Sequence, residues 1–320
     1  MNGIRSGVGK MSEIKIQAES IKLQHNYPLR ALFIADLHCG EQFAWQPEEF
    51  KTYDGRIFKP SPVQKYILKQ WQSIKQVADE FKVQYVFVLG DLLGGLNPKD
   101  EGKYITCDIR DQVRMATQGL AEIAKDRITY IVSGTKYHSI PRGEGEPEED
   151  VAIRLRDMGF KAHFLGDMAY VEVNGMKRKR RIFIAHESAT GLVYPATLMS
   201  RDVNWTLQSY AQGKTPRVDA IVRAHLHHWL YIDQSRIHCV QLPGFMALTP
   251  YQQTIKYYFK LQPDIGGALM LADEEGRLRF WHFLMPQEDY LKMSDSIVKT
   301  EVVSLQDYRN NFPEIKLEGE

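Results

Sequence analysis

The chain has 320 residues, 43% of them hydrophobic, and its 41 lysines and arginines offset 40 aspartates and glutamates to a net charge of +1. This length and apolar content allow a large buried core, and the balanced charge excludes a global bias towards nucleic acid or membrane surfaces. No apolar stretch reaches the roughly 18 residues of a transmembrane helix, no secretory signal opens the sequence, and the three cysteines are widely spaced. We therefore expect a cytoplasmic protein without a membrane partner.

Five short apolar runs of strand length lead into residues that bind metals or transfer protons. In chain order the run at 32–35 leads into Asp36 and His38, the run at 85–90 into Asp91, the run at 128–132 into Gly134, Thr135 and His138, the run at 182–185 into His186, and the run at 220–224 into His225 and His227. Because sites of open α/β sheets lie at the carboxyl ends of strands, we expect these side chains to converge. At the first run, an extended chain would point Asp36 and His38 the same way.

Amphipathic segments between these runs predict the helices. Ser61-Pro62 and Gln64 match a capping box, and the apolar spacing that follows predicts a helix to residue 81. Three further helices are expected at about 109–125, 147–159 and 195–212. The third of the four has an acidic start at 144–150, which suits the positive end of a helix dipole better than a metal. The alternation of strands and helices predicts an α/β core with right-handed crossovers.

Two hairpins are predicted, at 169–186 and 268–284, and the second strand of the first opens with five consecutive cations at 177–181. These cations suit either a charged edge strand that resists aggregation or a contact with a nucleic-acid backbone. In the second case Lys179 and Arg181 are candidates for substrate binding. Arg201, on the helix at 195–212, is either a surface arginine or a further contact with a substrate phosphate.

The order of the strand-end motifs resembles the calcineurin-like metallophosphoesterase family, whose pattern is D-x-H, G-D-x-x-D, G-N-H, a lone His and G-H-x-H. The matches lie between about residues 30 and 230 and are Asp36-Leu37-His38, Gly90-Asp91, Gly134-Thr135, His186 and His225-Leu226-His227. The sequence departs from the pattern in three places. Gly94 stands where the second Asp is expected, Ala224 replaces a Gly, and Thr135 replaces the Asn of G-N-H. The resulting G-T-x-x-H motif resembles a branch of the family that phages often encode.

The resemblance implies a two-sheet α/β/β/α sandwich with mixed sheets over residues 27–286. Residues 1–26 would be an extension or an edge strand, and 287–320 a tail. It also implies two divalent ions, of manganese, iron or zinc, with manganese favoured. One ion would be held by Asp36, His38 and His227 and the other by His186 and His225, with Asp91 as the bridge.

The implied activity is hydrolysis of phosphate esters by a metal-bound hydroxide, with phosphodiesters, including DNA or RNA, as the expected substrates. A phosphomonoesterase or protein phosphatase is one alternative, and a metal-binding scaffold with little turnover is another. Three roles stay open for His138, which are general acid at the leaving group, metal ligand in place of the missing Asn, and structural residue. Cys39 is expected to be a small buried thiol in preference to a further ligand.

Overall fold

The computed structural model describes residues 18–23, 28–95, 104–136, 138, 146–174, 177–187, 194–248 and 262–296. Strands and helices alternate through these ranges as the sequence predicts. The strands are β1 (Glu19–Leu23), β2 (Leu29–Ile34), β3 (Phe50–Lys51), β4 (Ile57–Phe58), β5 (Tyr85–Leu89), β6 (Ile128–Val132), β7 (Lys161–Phe164), β8 (Met168–Asn174), β9 (Lys179–Ala185), β10 (Ala220–Arg223), β11 (Leu230–Gln234), β12 (Ile237–Gln241), β13 (Gly266–Ala272) and β14 (Leu278–Leu284). Four helices lie between these strands, α1 (Pro62–Glu80), α2 (Ile109–Ala124), α3 (Pro147–Asp157) and α4 (Pro195–Ala211), and a further helical segment covers 287–296.

The long strands form two six-stranded sheets. The first sheet has the order β1-β8-β9-β10-β12-β11, and the second has the order β14-β13-β2-β5-β6-β7. Each mixes parallel and antiparallel pairs. A buried cluster between the sheets includes Phe33 and Phe87, whose rings stack 4.9 Å apart. The sheets therefore pack face to face over a shared apolar core.

Helices cover the outer face of each sheet. One cluster joins α1, α2 and α3 to the second sheet through residues such as Ile67, Trp71 and Leu120. Another joins α4 to the first sheet through Met199 and Val203. The layers are helices, sheet, sheet and helix, which confirms the predicted α/β/β/α sandwich. No helix in the described ranges has the length and apolar character needed to cross a membrane.

Local signals in the sequence set the helix ends. The capping box before α1 forms as predicted, because Gln64 N donates to Ser61 Oγ at 3.3 Å and Ser61 N donates to Gln64 Oε1 at 3.0 Å. Helix α2 starts behind Asp108, whose carboxylate accepts from Arg110 N at 2.9 Å. Helix α3 stops before Gly159, where φ is 90° and a side chain would be strained.

Parallel pairing aligns the strand ends that matter for function. In the second sheet β2, β5 and β6 are parallel neighbours, and in the first sheet β9, β10 and β12 are. Each group therefore delivers its carboxyl ends to one edge of its sheet. Backbone hydrogen bonds also join the sheets at this edge, since Phe245 N, which follows β12, donates to Asp36 O at 2.9 Å.

The two ends of the described chain both pack on the sandwich. Strand β1 pairs in parallel with β8 at the edge of the first sheet. Residues 287–296, placed by the sequence in a tail, form a helix that buries Met293 in the core and joins Asp289 to Lys69 at 2.6 Å. The rest of the expected tail, 297–320, and residues 1–17 lie outside the described residues.

Candidate metal centre

The six predicted metal ligands come together where the two sheets meet. Their donor atoms form two groups of three, and within each group these atoms lie within 4.8 Å of one another. The first group is Asp36, His38 and His227, and the second is Asp91, His186 and His225. Four chain segments from both sheets therefore contribute to one site.

In the first group, the acceptor Asp36 Oδ1 lies 3.2 Å from His227 Nε2 and 3.8 Å from His38 Nε2. The two histidine nitrogens are 3.2 Å apart. Two imidazole nitrogens and a carboxylate oxygen thus face a common point. The backbone N–H of His225 donates to the other Asp36 oxygen at 3.1 Å, which fixes the carboxylate.

The second group surrounds Asp91 Oδ2, which lies 3.0 Å from His186 Nε2 and 3.9 Å from His225 Nδ1. Asp36 Oδ1 connects the two groups, because it lies 3.9 Å from His186 Nε2. The His186 ring is oriented from behind, since its Nδ1–H donates to Leu89 O at 2.6 Å. Its Nε2 therefore points into the site.

The backbone at these strand ends is left-handed. Five of the six donors have a positive φ, namely Asp36 at 56°, His38 at 45°, Asp91 at 48°, His225 at 78° and His227 at 54°. Such conformations cost a non-glycine residue about 1–3 kcal/mol and concentrate at functional sites. Strand β2 ends at Ile34, so Asp36 and His38 do not share a strand face through an extended backbone as expected. Left-handed turns bring them together instead.

The Gly134-Thr135 pair holds Asp91 in place. Thr135 N donates to Asp91 Oδ1 at 2.6 Å, and the Thr135 hydroxyl lies 3.0 Å and 3.2 Å from the two carboxylate oxygens. A Cβ at Gly134 would overlap both Asp91 Oδ1 and the Asp91 nitrogen. The threonine that replaces the expected Asn thus orients the carboxylate of a predicted metal ligand, and the glycine gives that carboxylate room.

Burial and charge act against each other in this site. Burial alone would raise the pKa of Asp36, but the positive charges of His227 and His186 outweigh it and hold that pKa well below its usual range. The pKa of Asp91 is also depressed, because His186 and His138 outweigh the effect of burial. Burial lowers the pKa of His38 to about 4. Both aspartates are therefore ionised and His38 is neutral near pH 7, which are the forms that bind metal.

His186 behaves differently. Burial lowers its pKa, but the charges of Asp91 and Asp36 outweigh burial and raise the pKa to about 10. A proton thus offsets the two carboxylates when they have no other cation. Asp36 Oδ1 and His186 Nε2 are both buried, and the polar atoms nearest to them belong to other members of the donor set. Such atoms fit a bound cation, and oxygen and imidazole donors suit a divalent transition metal.

His138 lies at the rim of the second group. Its Nδ1 is 2.8 Å from the carbonyl of Gly94, and because a carbonyl only accepts, Nδ1 carries a proton. Its Nε2 faces the site, 3.8 Å from Asp91 Oδ2, and its ring meets the His38 ring edge-on at 4.6 Å. This geometry allows both the general-acid role and the ligand role, so the choice between them stays a prediction.

Glu41 is a carboxylate at the site that the sequence patterns did not point to. Its Oε1 lies 3.6 Å from His38 Nδ1, and His38, Glu41 and His138 form a third group of close donors. A Cβ at Gly94 would lie 2.6 Å from Glu41 Cγ. Gly94, the departure from G-D-x-x-D, thus makes room for a carboxylate from another segment. The sequence feature that could have indicated Glu41 is its position, because it is an acid three residues after the predicted ligand His38.

Glu148 is a second missed residue. It belongs to the predicted acidic first turn of α3, where Glu149 and Asp150 are exposed, but Glu148 is fully buried and neither carboxylate oxygen has a hydrogen-bond partner among described residues. Burial, reinforced by the charge of Asp91, raises its pKa to about 7. The sequence feature that could have indicated burial of Glu148 is its place on α3, between Pro147 and Val151 on the buried side of the helix.

Two candidates for substrate binding, Lys179 and Arg181, are not brought to this site. Lys179 and Arg181 lie at the opposite, amino end of β9, where Arg181 pairs with Glu172 at 2.7 Å. Arg201 lies on α4 with its guanidinium 5.0 Å from the Trp205 ring centre. Cys39 is fully buried in the helix-side core, and burial raises the pKa of its thiol. A neutral core thiol agrees with the favoured reading of that cysteine.

Comparisons with known proteins give likenesses of fold. No family model matches the chain, and no curated protein does. Among solved structures, an archaeal phosphodiesterase is 9% identical with a TM-score of 0.41, and it covers 80% of this chain and 100% of its own. A predicted phosphoesterase from Streptococcus pneumoniae is 12% identical with a TM-score of 0.32, over 81% and 99% of the two chains.

Vacuolar protein sorting 29 from Cryptosporidium parvum is also similar, at 13% identity and a TM-score of 0.39, over 82% of this chain and 100% of that one. At these identities and scores a likeness carries no information about activity. The fold class therefore rests on this chain's own sheets and helices, and the chemistry rests on the geometry of its six donors.

Proposed function

We propose that the chain is a metal-dependent phosphoesterase that hydrolyses phosphodiesters. The observation that supports this most is the pair of donor groups, each with one aspartate and two histidines, joined by the 3.9 Å approach of Asp36 Oδ1 to His186 Nε2. We assign Asp36, His38 and His227 to one ion and His186 and His225 to the other, with Asp91 shared. Manganese is the favoured metal, with iron and zinc as alternatives.

Two divalent ions in these positions would supply a nucleophile at neutral pH and positive charge for the phosphoryl oxygens. The chain's own residues do the rest. Thr135 and the His225 backbone keep the two carboxylates oriented, and the Leu89 carbonyl keeps His186 in the correct tautomer. His138 Nε2, at the rim, holds a proton for the leaving-group oxygen. Assignment to the phage-type branch of the family also stays a prediction.

The test is hydrolysis of bis(p-nitrophenyl) phosphate and p-nitrophenyl phosphate with added Mn²⁺ on one preparation. Turnover of the diester should exceed that of the monoester, and His186→Ala should lower it by more than about 10²-fold, because even partners that only orient a ligand contribute about 10–100-fold. His163→Ala is the matched control, since His163 is an exposed histidine on β7, away from the donors.

Each contrary result has a definite meaning. Faster turnover of the monoester would replace the proposal with a phosphomonoesterase. Metal binding without turnover of either compound would replace it with a metal-binding scaffold, the alternative that the incomplete G-N-H motif favours.

A further inference from the structure

A concentration of positive charge lies at the end of the sandwich opposite the metal site. A groove of about 920 Å³ is lined, among the described residues, by eight arginines and lysines and three carboxylates, although the whole chain is nearly neutral. Its walls come from the start of β9, the segment before β10, the β11–β12 turn and the β13–β14 hairpin. Four residues of β9, 182–185, separate the last groove residue, Arg181, from His186, which corresponds to about 16 Å of strand.

Two of the three carboxylates of this groove are paired with arginines. Asp219 accepts from Arg180 Nη1 at 2.7 Å, and Glu172 accepts from Arg181 Nη2 at 2.7 Å. The third, Asp233, is exposed and lies 3.8 Å from His238 Nδ1, which the Tyr231 hydroxyl contacts at 2.7 Å. The two ion pairs hold the strand ends together and leave one carboxylate against the remaining cations.

Five cations of the groove are exposed, and none of their side chains makes a hydrogen bond or ion pair with another described residue. They are Arg178, Lys179, Arg217, Arg236 and Arg279. The backbone of Arg178 packs closely against the β13–β14 turn, because a Cβ on Gly276 would lie 2.9 Å from Arg178 O. Like charges gathered in one concave surface repel each other, so an anionic ligand would be favoured there.

The residues that line the groove indicate which kind of anion it would bind. Leu278 is its one apolar member and His238 its one aromatic ring among described residues, so the groove offers neither an apolar slot nor a stacking platform for a base. Four of the five exposed cations are arginines, whose guanidinium groups match phosphate oxygens in pairs. Cations from four separate segments fit a row of phosphates better than a single one.

We propose that this groove binds the phosphate backbone of duplex nucleic acid, through Arg178, Arg236 and Arg279, without reading sequence. The site is separate from the metal centre and its binding requires no hydrolysis. Within the basic run at 177–181, Arg178 and Lys179 are the residues available to an anionic ligand. Arg180 and Arg181 already form ion pairs with Asp219 and Glu172.

The test is binding of a fluorescent 20-base-pair DNA duplex to the full chain by anisotropy, at several salt concentrations and with EDTA present. Replacing Arg178, Arg236 and Arg279 by Gln should weaken binding at least tenfold and flatten the plot of log affinity against log salt by about 2.7, because each phosphate contact contributes about 0.9. The control replaces Lys51, Lys65 and Lys125 by Gln, which removes the same charge from exposed positions on the other sheet's side.

An equal loss in both triple variants, or no loss in either, would overturn the proposal. Tighter binding of inorganic polyphosphate than of duplex at equal phosphate concentration would overturn nucleic acid as the partner, and preference for single-stranded over duplex DNA would overturn the duplex. Because EDTA removes divalent metal, the result does not depend on the proposed hydrolysis. An inactive metal centre and an inactive groove are therefore distinguishable.

Discussion

At the scale of single residues, the site depends on side chains that a hydrogen bond holds in one orientation. His186 is held by the Leu89 carbonyl, His138 by the Gly94 carbonyl and Asp91 by Thr135. Each of these contacts leaves one nitrogen or oxygen facing the centre. The residue type alone would not determine which atom faces the centre, because an unrestrained histidine can present either ring nitrogen.

The role of His138 can be decided with two leaving groups. A general acid contributes about 10²–10⁴-fold, and mainly when the leaving group is poor. We expect His138→Ala to slow hydrolysis of an alkyl or nucleotide diester by that factor and to spare a nitrophenyl diester, with unchanged metal content. Equal slowing on both substrates together with weaker binding of one metal would identify a ligand. Wild-type behaviour throughout would make the residue structural.

Glu148 predicts a pH dependence of stability. Its folded pKa of about 7 lies above the ordinary 4.5, so the folded chain binds more protons between these values and loses stability as pH rises through about 7. Glu148→Gln, which stays neutral, should therefore match wild type at pH 4 and exceed it by about 3 kcal/mol at pH 8, in EDTA.

Urea unfolding at both pH values measures this difference. Glu149→Gln is the control, because Glu149 is exposed in the same turn and should show no such dependence. A pH-independent effect of Glu148→Gln would show that the Glu148 carboxyl is not desolvated in the folded protein.

At the scale of secondary-structure elements, the site is made by the turns that follow strands. Gly90 and Gly134 pass so close that a Cβ on Gly90 would lie 2.6 Å from the Gly134 Cα. The backbone after β2 bonds to the turn after β5, with Asp36 N donating to Gly90 O at 3.1 Å and His38 N to Asp91 O at 3.0 Å. The turns thus stabilise one another.

Gly134→Ala should therefore displace Asp91 and impair metal binding, because the added Cβ overlaps the carboxylate. We expect weaker Mn²⁺ binding by calorimetry, by at least tenfold. Gly159→Ala is the comparison, since a Cβ there meets nothing and only the positive φ of 90° opposes the substitution. It should cost about 1 kcal/mol of stability and leave Mn²⁺ affinity unchanged. Normal affinity in Gly134→Ala would contradict the role of this turn.

Most elements were predictable because local patterns determine them. The Ser61–Gln64 box, the helix after Pro147 and the stop at Gly159 all lie where sequence signals put them. The site residues were predictable because apolar runs end at them. The left-handed turns were not, since Asp and His carry no mark of a positive φ, and neither was the contribution of Glu41, which depends on the space left by Gly94.

At the scale of the whole molecule, the candidate metal centre and the cationic groove lie at opposite ends of the sandwich. The metal donors lie where the carboxyl ends of β2, β5, β9 and β10 meet, and the cationic groove lies at the amino ends of β9 and β12. The apolar core between the sheets connects them and holds both in fixed positions. Since the six donors come from both sheets, they are brought together only in the folded chain.

The central claim is that six residues form one centre for two ions. Metal content after equilibration with Mn²⁺ and removal of free ions, measured by mass spectrometry of the digested protein, tests it most directly. Wild type and His163→Ala should each retain about two ions per chain. Asp91→Asn, which removes the shared carboxylate charge, should retain fewer than one. Less than one ion in wild type, or an unchanged content in Asp91→Asn, would contradict the account.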